Sequence, residues 1–405
     1  MDGSKNRVLV VGAGPVGMTC ALALNRKGIP VTVFEREPGP LVDQRAASIQ
    51  PSTLALLNEY GVTEKIVPKG LVSKVYQFRD RATDELIAKF DLTDMSDEFE
   101  FPFVLQYEQY KITRDIATQY GNESDFDVRY GYEALSLTQF DDRVELTVKG
   151  PDGTEVHQGC YVVGADGGRS IVRKSAGITF EGFTYPEHFV KIASTFDFQD
   201  AHPDYAYRTY FSDPDEWCNL FKVMGEERPL WRTIFPTRVD ETREQALSPE
   251  GIQARLQKFF PKEGDYTTVY ANVYSVSQLV ATTFRHHRVL LAGDAAHVNN
   301  PIGGLGMNGG IHDGISLAEK VSDVIKGITD DSALDLYSRQ RRHVTVSYVQ
   351  AQTIANKKML EEKNEGSRQK KFDEMRRIAN DAELSRNYMR RAALADSLRE
   401  ASAIA

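Results

Sequence analysis

The stretch that decides the fold is Arg7-Val8-Leu9-Val10-Val11-Gly12-Ala13-Gly14-Pro15-Val16-Gly17. A short β-branched run passes into a GxGxxG turn, and Met18 to Lys27 then has helical composition. Gly28 is placed as a helix C′ residue, and Val31 to Phe34 reads as a second strand, completing a βαβ unit. In such a unit the glycines let the backbone approach a pyrophosphate at a helix N-terminus. Glu35 ends the second strand 23 residues after Gly12, where a carboxylate accepts hydrogen bonds from an unphosphorylated ribose, as in FAD or NAD. The alternative reading of the motif alone is a glycine-rich turn without a ligand.

Two more strand-then-glycine passages follow. Tyr161-Val162-Val163-Gly164-Ala165-Asp166-Gly167-Gly168 leads to Ser170 and Arg173 at helical spacing. Arg288-Val289-Leu290-Leu291-Ala292-Gly293-Asp294 places a carboxylate at a strand end, suited to the hydroxyls of a ribitol chain. It continues through His297 to Pro301-Ile302-Gly303-Gly304-Leu305-Gly306-Met307-Asn308, whose glycines would admit a flat, partly anionic ring to backbone N–H groups. Residues 74–100 and 185–280 differ, being dense in Tyr, Phe, Trp, Thr and Val with frequent breaks, a pattern of antiparallel strands. Two interleaved domains are expected, followed from about Tyr348 by helical segments of mixed charge. Those segments read either as solvated surface helices or as a partner-docking, dimer-forming element.

Composition narrows the function. The chain has 405 residues, enough for two or three domains, and 49 Lys+Arg against 58 Asp+Glu give a net charge of −9, which argues against nucleic acid as a partner. No apolar run approaches the roughly 18 residues of a membrane span, so integral membrane association is not expected, and the N-terminus carries neither a signal peptide nor a myristoylation site. Three scattered cysteines without a CxxC pair offer no metal site and suit a reducing, cytoplasmic setting.

Taken together, Gly12 to Gly17, the Asp166-Gly167 segment and the Gly293-Asp294 segment resemble the single-component (group A) flavoprotein aromatic hydroxylases with the p-hydroxybenzoate hydroxylase fold, over roughly residues 7–350. The resemblance implies an α/β fold: a Rossmann-like (GR2-type) FAD-binding domain interleaved with an antiparallel-sheet substrate domain, plus a C-terminal helical tail. The segments fall at 1–73, 101–184 and 281–347 for the FAD domain, 74–100 and 185–280 for the substrate domain, and 348–405 for the tail. It also implies bound FAD, reduced by NADH or NADPH and reoxidised by O₂ through a flavin C4a-hydroperoxide, with a small electron-rich aromatic as substrate. The chain leaves no room for the thioredoxin-like C-terminal domain of the larger phenol hydroxylases.

Residue by residue, the resemblance assigns Gly12, Gly14, Pro15 and Gly17 to the pyrophosphate, Glu35 with its neighbour Arg36 to the adenosine ribose, and Asp294 after Gly293 to the ribitol. Arg45, in Gln44-Arg45-Ala46, falls near the pyrophosphate and the flavin, and Gln106 also contacts FAD. Asp166 and Arg173 match a motif serving FAD and NAD(P)H. Pro301, Gly304, Gly306, Met307 and Asn308 would face the isoalloxazine.

Substrate contacts are sought among His188, Tyr205, Tyr207, Arg208, Tyr210, Trp217, Phe221, Arg232 and Phe235, with Tyr207, Arg232, Pro301 and His297 taken forward as catalytic candidates. Strand alternation puts Tyr205, Tyr207 and Tyr210 on one side and Arg208 on the other. His297 adjoins Asp294, and its place in the motif also accounts for it as a structural residue. The expected activity is hydroxylation of a phenolic or N-heteroaromatic compound, including replacement of a ring substituent. The alternatives are an FAD-dependent reductase or halogenase of the same fold, or a non-catalytic FAD-binding protein. The sequence leaves open a homodimer and the identity of the aromatic.

Overall fold

In the computed structural model, which describes residues 6–405 except 43, 44, 122 and 124, the βαβ unit forms as the sequence indicates. Strands Val8–Val11 (β1) and Val31–Glu35 (β2) pair in parallel, with helix Pro15–Arg26 (α1) between them. β1 is a continuous apolar run and β2 is buried as far as Phe34, as expected where helices or other layers cover both faces of a parallel sheet. On its other side β1 takes Tyr161–Gly164, and that strand takes Val289–Leu291, again in parallel. Phe126–Tyr130 and the antiparallel hairpin strand Arg285–His286 complete the six-stranded sheet.

The three strand-glycine passages, distant in sequence, are therefore neighbours. Backbone hydrogen bonds stitch their ends together: Gly12 N donates to Phe34 O (2.8 Å), Ala165 N to Val11 O (2.8 Å) and Ala292 N to Gly164 O (3.0 Å). α1 packs against the long helix Gly306–Ile325 and against Gln109–Tyr120. The three-stranded antiparallel sheet of Glu133–Gln139, Val144–Gly150 and Gly153–Gly159 adds Val144, Leu146 and Val148 to the same core.

The second domain is an eight-stranded sheet, antiparallel except where Arg208–Ser212 runs parallel to Val75–Asp80. Phe180–Ser194 and Thr268–Ala281 join the two domains: Phe180, Val280 and Ala281 pack in the first core, whereas Val190 and Val273 pack in the second domain. This long strand starts ahead of the boundary expected at 185, and His297–Val298 contributes an edge strand to the same sheet from within 281–347. The boundary expected at 347/348 also moves, because it lies inside one helical run from Ser332–Val344 through a π-helical turn, Thr345–Gln350, to Ala351–Leu360.

One face of the large sheet buries Phe198, Phe211, Trp231 and Phe235 under the helices Arg243–Leu247 and Pro249–Phe259. The other face meets the C-terminal helices Glu365–Asn380 and Ala382–Ala392, whose Phe372, Met375 and Met389 are buried with Tyr76, Phe78, Phe90 and Tyr210. The tail thus packs one face on the sheet and leaves the other to solvent. Its sparse apolar residues form one stripe that the sheet covers, while Arg386 and Arg390 pair with Asp97 and Glu98 at 2.5–3.0 Å. Among the described residues no helix is long and apolar enough to cross a membrane.

Candidate active site

The site is built first on the ends of β1, Tyr161–Gly164 and Val289–Leu291. Gly12 has φ +103°, and a Cβ there would collide with the Ala165 carbonyl, so only glycine allows the turn to lie against the second passage. A Cβ on Gly17 would strike the Gly12 carbonyl. Gly14 differs: nothing lies within 4 Å of the position its Cβ would take, and Pro15 follows it at the first position of α1. The end of the turn is thus open in front of a helix N-terminus whose first N–H groups lack intrahelical partners. Glu35 accepts from Ala13 N (2.8 Å) and Glu37 N (3.1 Å), which orients its carboxylate while leaving each oxygen a further lone pair. Arg36 turns outward to Glu37 instead of joining this group.

Asp294 lies at the end of the third passage with its side chain exposed, although protein surrounds it closely enough that burial raises its carboxyl above the usual carboxylate range. His297 and Arg45 oppose that rise, so the loop bearing Arg45 reaches across to Asp294. Gln44 lies outside the described residues. Its carboxylate is accessible to solvent yet closely bordered by protein, as at the wall of a cleft.

Asp166 and Arg173, expected in a motif serving FAD and NAD(P)H, are engaged with protein partners. Asp166 caps its own short helix, accepting from Ser170 Oγ (2.5 Å), Ile171 N (2.7 Å) and Val172 N (3.2 Å). Arg173, buried, donates to the carbonyls of Gly168 and Ala295 at 3.2 Å each and lies 3.6 Å above the Phe180 ring. It braces the second passage against the third, a tie that the spacing of the motif alone does not reveal.

Ser48–Ile49, Val104–Gln106 and Leu71–Ser73 form a small sheet beside the cleft. Gln106 is fully buried; its Oε1 accepts from Ser48 Oγ (2.7 Å), and its Nε2 has no partner. A buried amide donor without an acceptor is costly, so this position suits a ligand that supplies one. Asn308 is fully buried and committed internally: Oδ1 accepts from Gln50 N (2.8 Å), and Nδ2 donates to Ser48 O (2.9 Å) and Gly304 O (2.6 Å). It fastens the 48–50 segment to the glycine loop rather than offering its own side chain. Pro301 accepts from Gly304 N (3.0 Å) in a turn that leads to Gly306 and Met307 at the start of the 20-residue helix.

A small cavity opens beside Gly303 and Leu305. Gln50, Tyr76, Phe78, Leu92, Arg208 and Tyr210 line it from the sheet side, and Gln352, Asn356, Tyr388, Met389 and Ala393 line it from the C-terminal helices. Tyr388 stacks on Phe90 with ring centroids 4.6 Å apart, and Tyr210 stacks on Phe78 at 5.1 Å. Arg208 and Tyr210, two residues apart on the strand, share the cavity face, whereas Tyr205, Tyr207 and Phe211 lie on the other; the expectation that grouped Tyr210 with Tyr205 and Tyr207 fails because residues 205 and 210 differ in parity. Tyr207 packs on the far side against Trp231 and Lys222, away from the cavity. Asn219, opposite Tyr210 on the neighbouring strand, is buried with neither amide atom partnered, a feature no local motif announces.

Two further candidates act as braces. Arg232 is buried, with its guanidinium 3.7 Å from Glu108, which also pairs with Lys111 at 2.9 Å and joins Gln109–Tyr120 to the sheet. His297 is 1 % exposed, with Nε2 2.7 Å from Asp313 Oδ2, while Arg341 Nε donates to Asp313 Oδ1 at 2.6 Å. Burial works to raise the Asp313 carboxyl, yet Arg341 and His297 hold it below the usual range. As a base His297 is misplaced, since it lies under the Gly293–Asp294 turn and not in the cavity lining.

Comparison with known proteins agrees with this geometry. The family described as FAD binding domain matches residues 5–352. The chain is 32% identical over 368 residues to para-nitrophenol 4-monooxygenase of Pseudomonas sp. (strain WBC-3), covering 89% of each. It is 29% identical over 396 residues to 6-hydroxy-3-succinoylpyridine 3-monooxygenase of Pseudomonas putida, covering 95% of this chain and 97% of that one. The crystal structure of p-nitrophenol 4-monooxygenase from Pseudomonas putida DLL-E4 superposes with a TM-score of 0.89 at 29% identity over 97% of each chain. With three glycine passages brought side by side at the ends of neighbouring strands, and this match along most of its length, the chain belongs to the group A FAD-dependent aromatic monooxygenases.

Proposed function

We propose that this monooxygenase uses NADH or NADPH and O₂ to hydroxylate a phenolic or N-heteroaromatic ring, with the new hydroxyl able to replace a substituent such as nitro or carboxyl at the attacked carbon. The observation that carries the reading is an aromatic-walled cavity opening at Gly303 and Leu305, next to the cleft that presents Asp294, Gln106 and the glycine turn. FAD, when bound, supplies the electron transfer and O₂ activation that side chains cannot. Gly12, Gly14, Pro15 and Gly17 bring backbone N–H groups to its pyrophosphate, with Arg45 close by. Glu35 takes the adenosine ribose, Asp294 the ribitol, and Gln106 Nε2 an acceptor along the same ligand. The N-terminus of Gly306–Ile325 turns its unpaired N–H groups toward negative charge on the ring.

Tyr76, Phe78, Tyr210 and Tyr388 hold the substrate ring, and Met389 and Ala393 close the cavity against water that would divert the reaction to H₂O₂. Segments 1–73, 101–184 and 281–347 are assigned to the cofactor domain, allowing for the strands they lend to the large sheet. The cysteines Cys20, Cys160 and Cys218 are buried thiols, consistent with work in a reducing cytoplasm. Relatives named for nitrophenol and hydroxypyridine substrates support the choice of ring. The test is a panel of phenols and hydroxypyridines assayed for stimulated NAD(P)H oxidation and O₂ uptake, with product analysis. Absence of stimulation across the panel in flavin-loaded protein would refute the assignment.

A further inference from the structure

The cavity carries one feature that its aromatic walls do not explain. Arg208 is 4 % exposed, its Nε has no partner, and its only hydrogen bond among the described residues runs from an Nη to the Tyr210 hydroxyl at 3.1 Å. Among the described residues no carboxylate pairs with it, whereas the buried Arg79, Arg232, Arg255 and Arg341 each meet Glu or Asp and the buried Arg173 donates to two carbonyls. A buried cation left unpaired is costly unless something anionic joins it. The Tyr76 hydroxyl, in the cross-strand position beside Arg208, is likewise buried without a partner, and the Arg208 guanidinium lies 5.4 Å from the Tyr76 ring centre. The groups around Arg208 are Tyr76 on the neighbouring strand, Tyr210 on its own and Tyr388 from the C-terminal helix. Farther along the sheet, beyond Phe221, Arg232 is already paired with Glu108. The cavity lining includes no Asp, Glu, His or Lys.

We propose that Arg208 Nε and the Tyr76 hydroxyl converge on the single ionised oxygen of an acidic phenol, so that the cavity selects rings that are already phenolates in solution. The assignment rests on the aromatic-monooxygenase reading and sharpens its substrate class to phenols or hydroxypyridines bearing electron-withdrawing groups. The substrate proton goes to bulk water before binding, because the wall holds no carboxylate or imidazole to take it. Burial holds the Tyr76 and Tyr388 hydroxyls protonated, so they serve as donors. Two single donors suit one phenolate oxygen better than a carboxylate, which favours a paired fork.

The test is equilibrium binding by calorimetry to flavin-loaded protein, between about pH 6 and about pH 9, with 4-nitrophenol, 4-methylphenol and 4-hydroxybenzoate as probes. Affinity for 4-nitrophenol should fall about tenfold per pH unit below that ligand's own pKa, and 4-methylphenol should bind at least about tenfold more weakly at neutral pH. Arg208→Gln should flatten the pH dependence, and Arg208→Lys should retain its direction. Equal affinity for both phenols at neutral pH, an onset at one fixed pH whichever ligand is used, or tightest binding by 4-hydroxybenzoate overturns the proposal. Turnover stimulated equally by neutral phenols would sink it while leaving the monooxygenase reading intact. The expected binding pattern without any stimulated NAD(P)H oxidation would do the reverse.

Discussion

Gly14 and Gly17, three positions apart in one turn, are glycines for different reasons. Gly17 is required by the fold, because its Cβ would overlap the Gly12 carbonyl; Gly17→Ala should destabilise by roughly 1–3 kcal/mol, read as a lower urea midpoint. Gly14 is required by the ligand. Its Cβ would meet no protein atom, so Gly14→Val should fold with the Tm of the flavin-stripped parent and purify with little or no FAD, measured as flavin absorbance per chain. Asp294→Ala is expected to behave like Gly14→Val, since its carboxylate borders the cleft and carries no hydrogen bond that holds the fold. Full flavin occupancy in Asp294→Ala would remove the third passage from the cofactor site.

At the scale of elements, the helix Ala382–Ala392 couples a charged edge to one wall of the cavity. Arg386 and Arg390 hold it to Asp97 and Glu98, while Tyr388 and Met389 on the same helix close the cavity. Each such partly exposed pair contributes only about 0.2–1 kcal/mol, so the doubly substituted Arg386→Ala, Arg390→Ala chain should stay folded. It should admit water to the cavity, however, and yield more H₂O₂ per NAD(P)H consumed than the parent. An unchanged coupling ratio would show that the helix is held by its apolar stripe alone. The π-helical turn Thr345–Gln350 serves the same packing from the other side: Gln350 Nε2 donates to Val298 O at 2.9 Å, fastening the helix beside the glycine segment.

For the whole molecule, stability and cofactor are linked through the polar layer beneath the cleft. His312 is buried beside Thr53, its Nε2 2.8 Å from the hydroxyl, and burial pushes its imidazole down to about 3 from 6.5, the Arg341 charge adding to the effect. Because the folded value lies below the unfolded one, the unfolded chain takes up the proton first as pH falls. The contribution is therefore intact above 6.5 and lost on the way down to about 3, at up to about 1.4 kcal/mol per pH unit. Urea midpoints followed across that window should decline more steeply for the parent than for His312→Gln. Stripping FAD should lower Tm as well, by the mass-action term for a ligand that binds only the folded state, about 2.7 kcal/mol when free flavin stands at 100 times its Kd.

The amino-acid sequence alone determined the cofactor half of this protein. Each strand, glycine turn and helix start lies within a short span, so Gly12, Gly14, Glu35 and Asp294 announce themselves through local geometry that few residue types satisfy. Side-chain commitments were less legible: Asp166, Arg173, Asn308 and His297 belong to the right motifs, but their hydrogen bonds run to internal partners that only packing brings near. The aromatic-walled cavity belonged wholly to the tertiary structure. Its walls come from residues 50, 76–78, 92, 208–210, 303–305, 352–356 and 388–393. Alternation alone separates Arg208 from Tyr207, but which of the two faces becomes the cavity is decided by the C-terminal helices that pack over it, far along the chain.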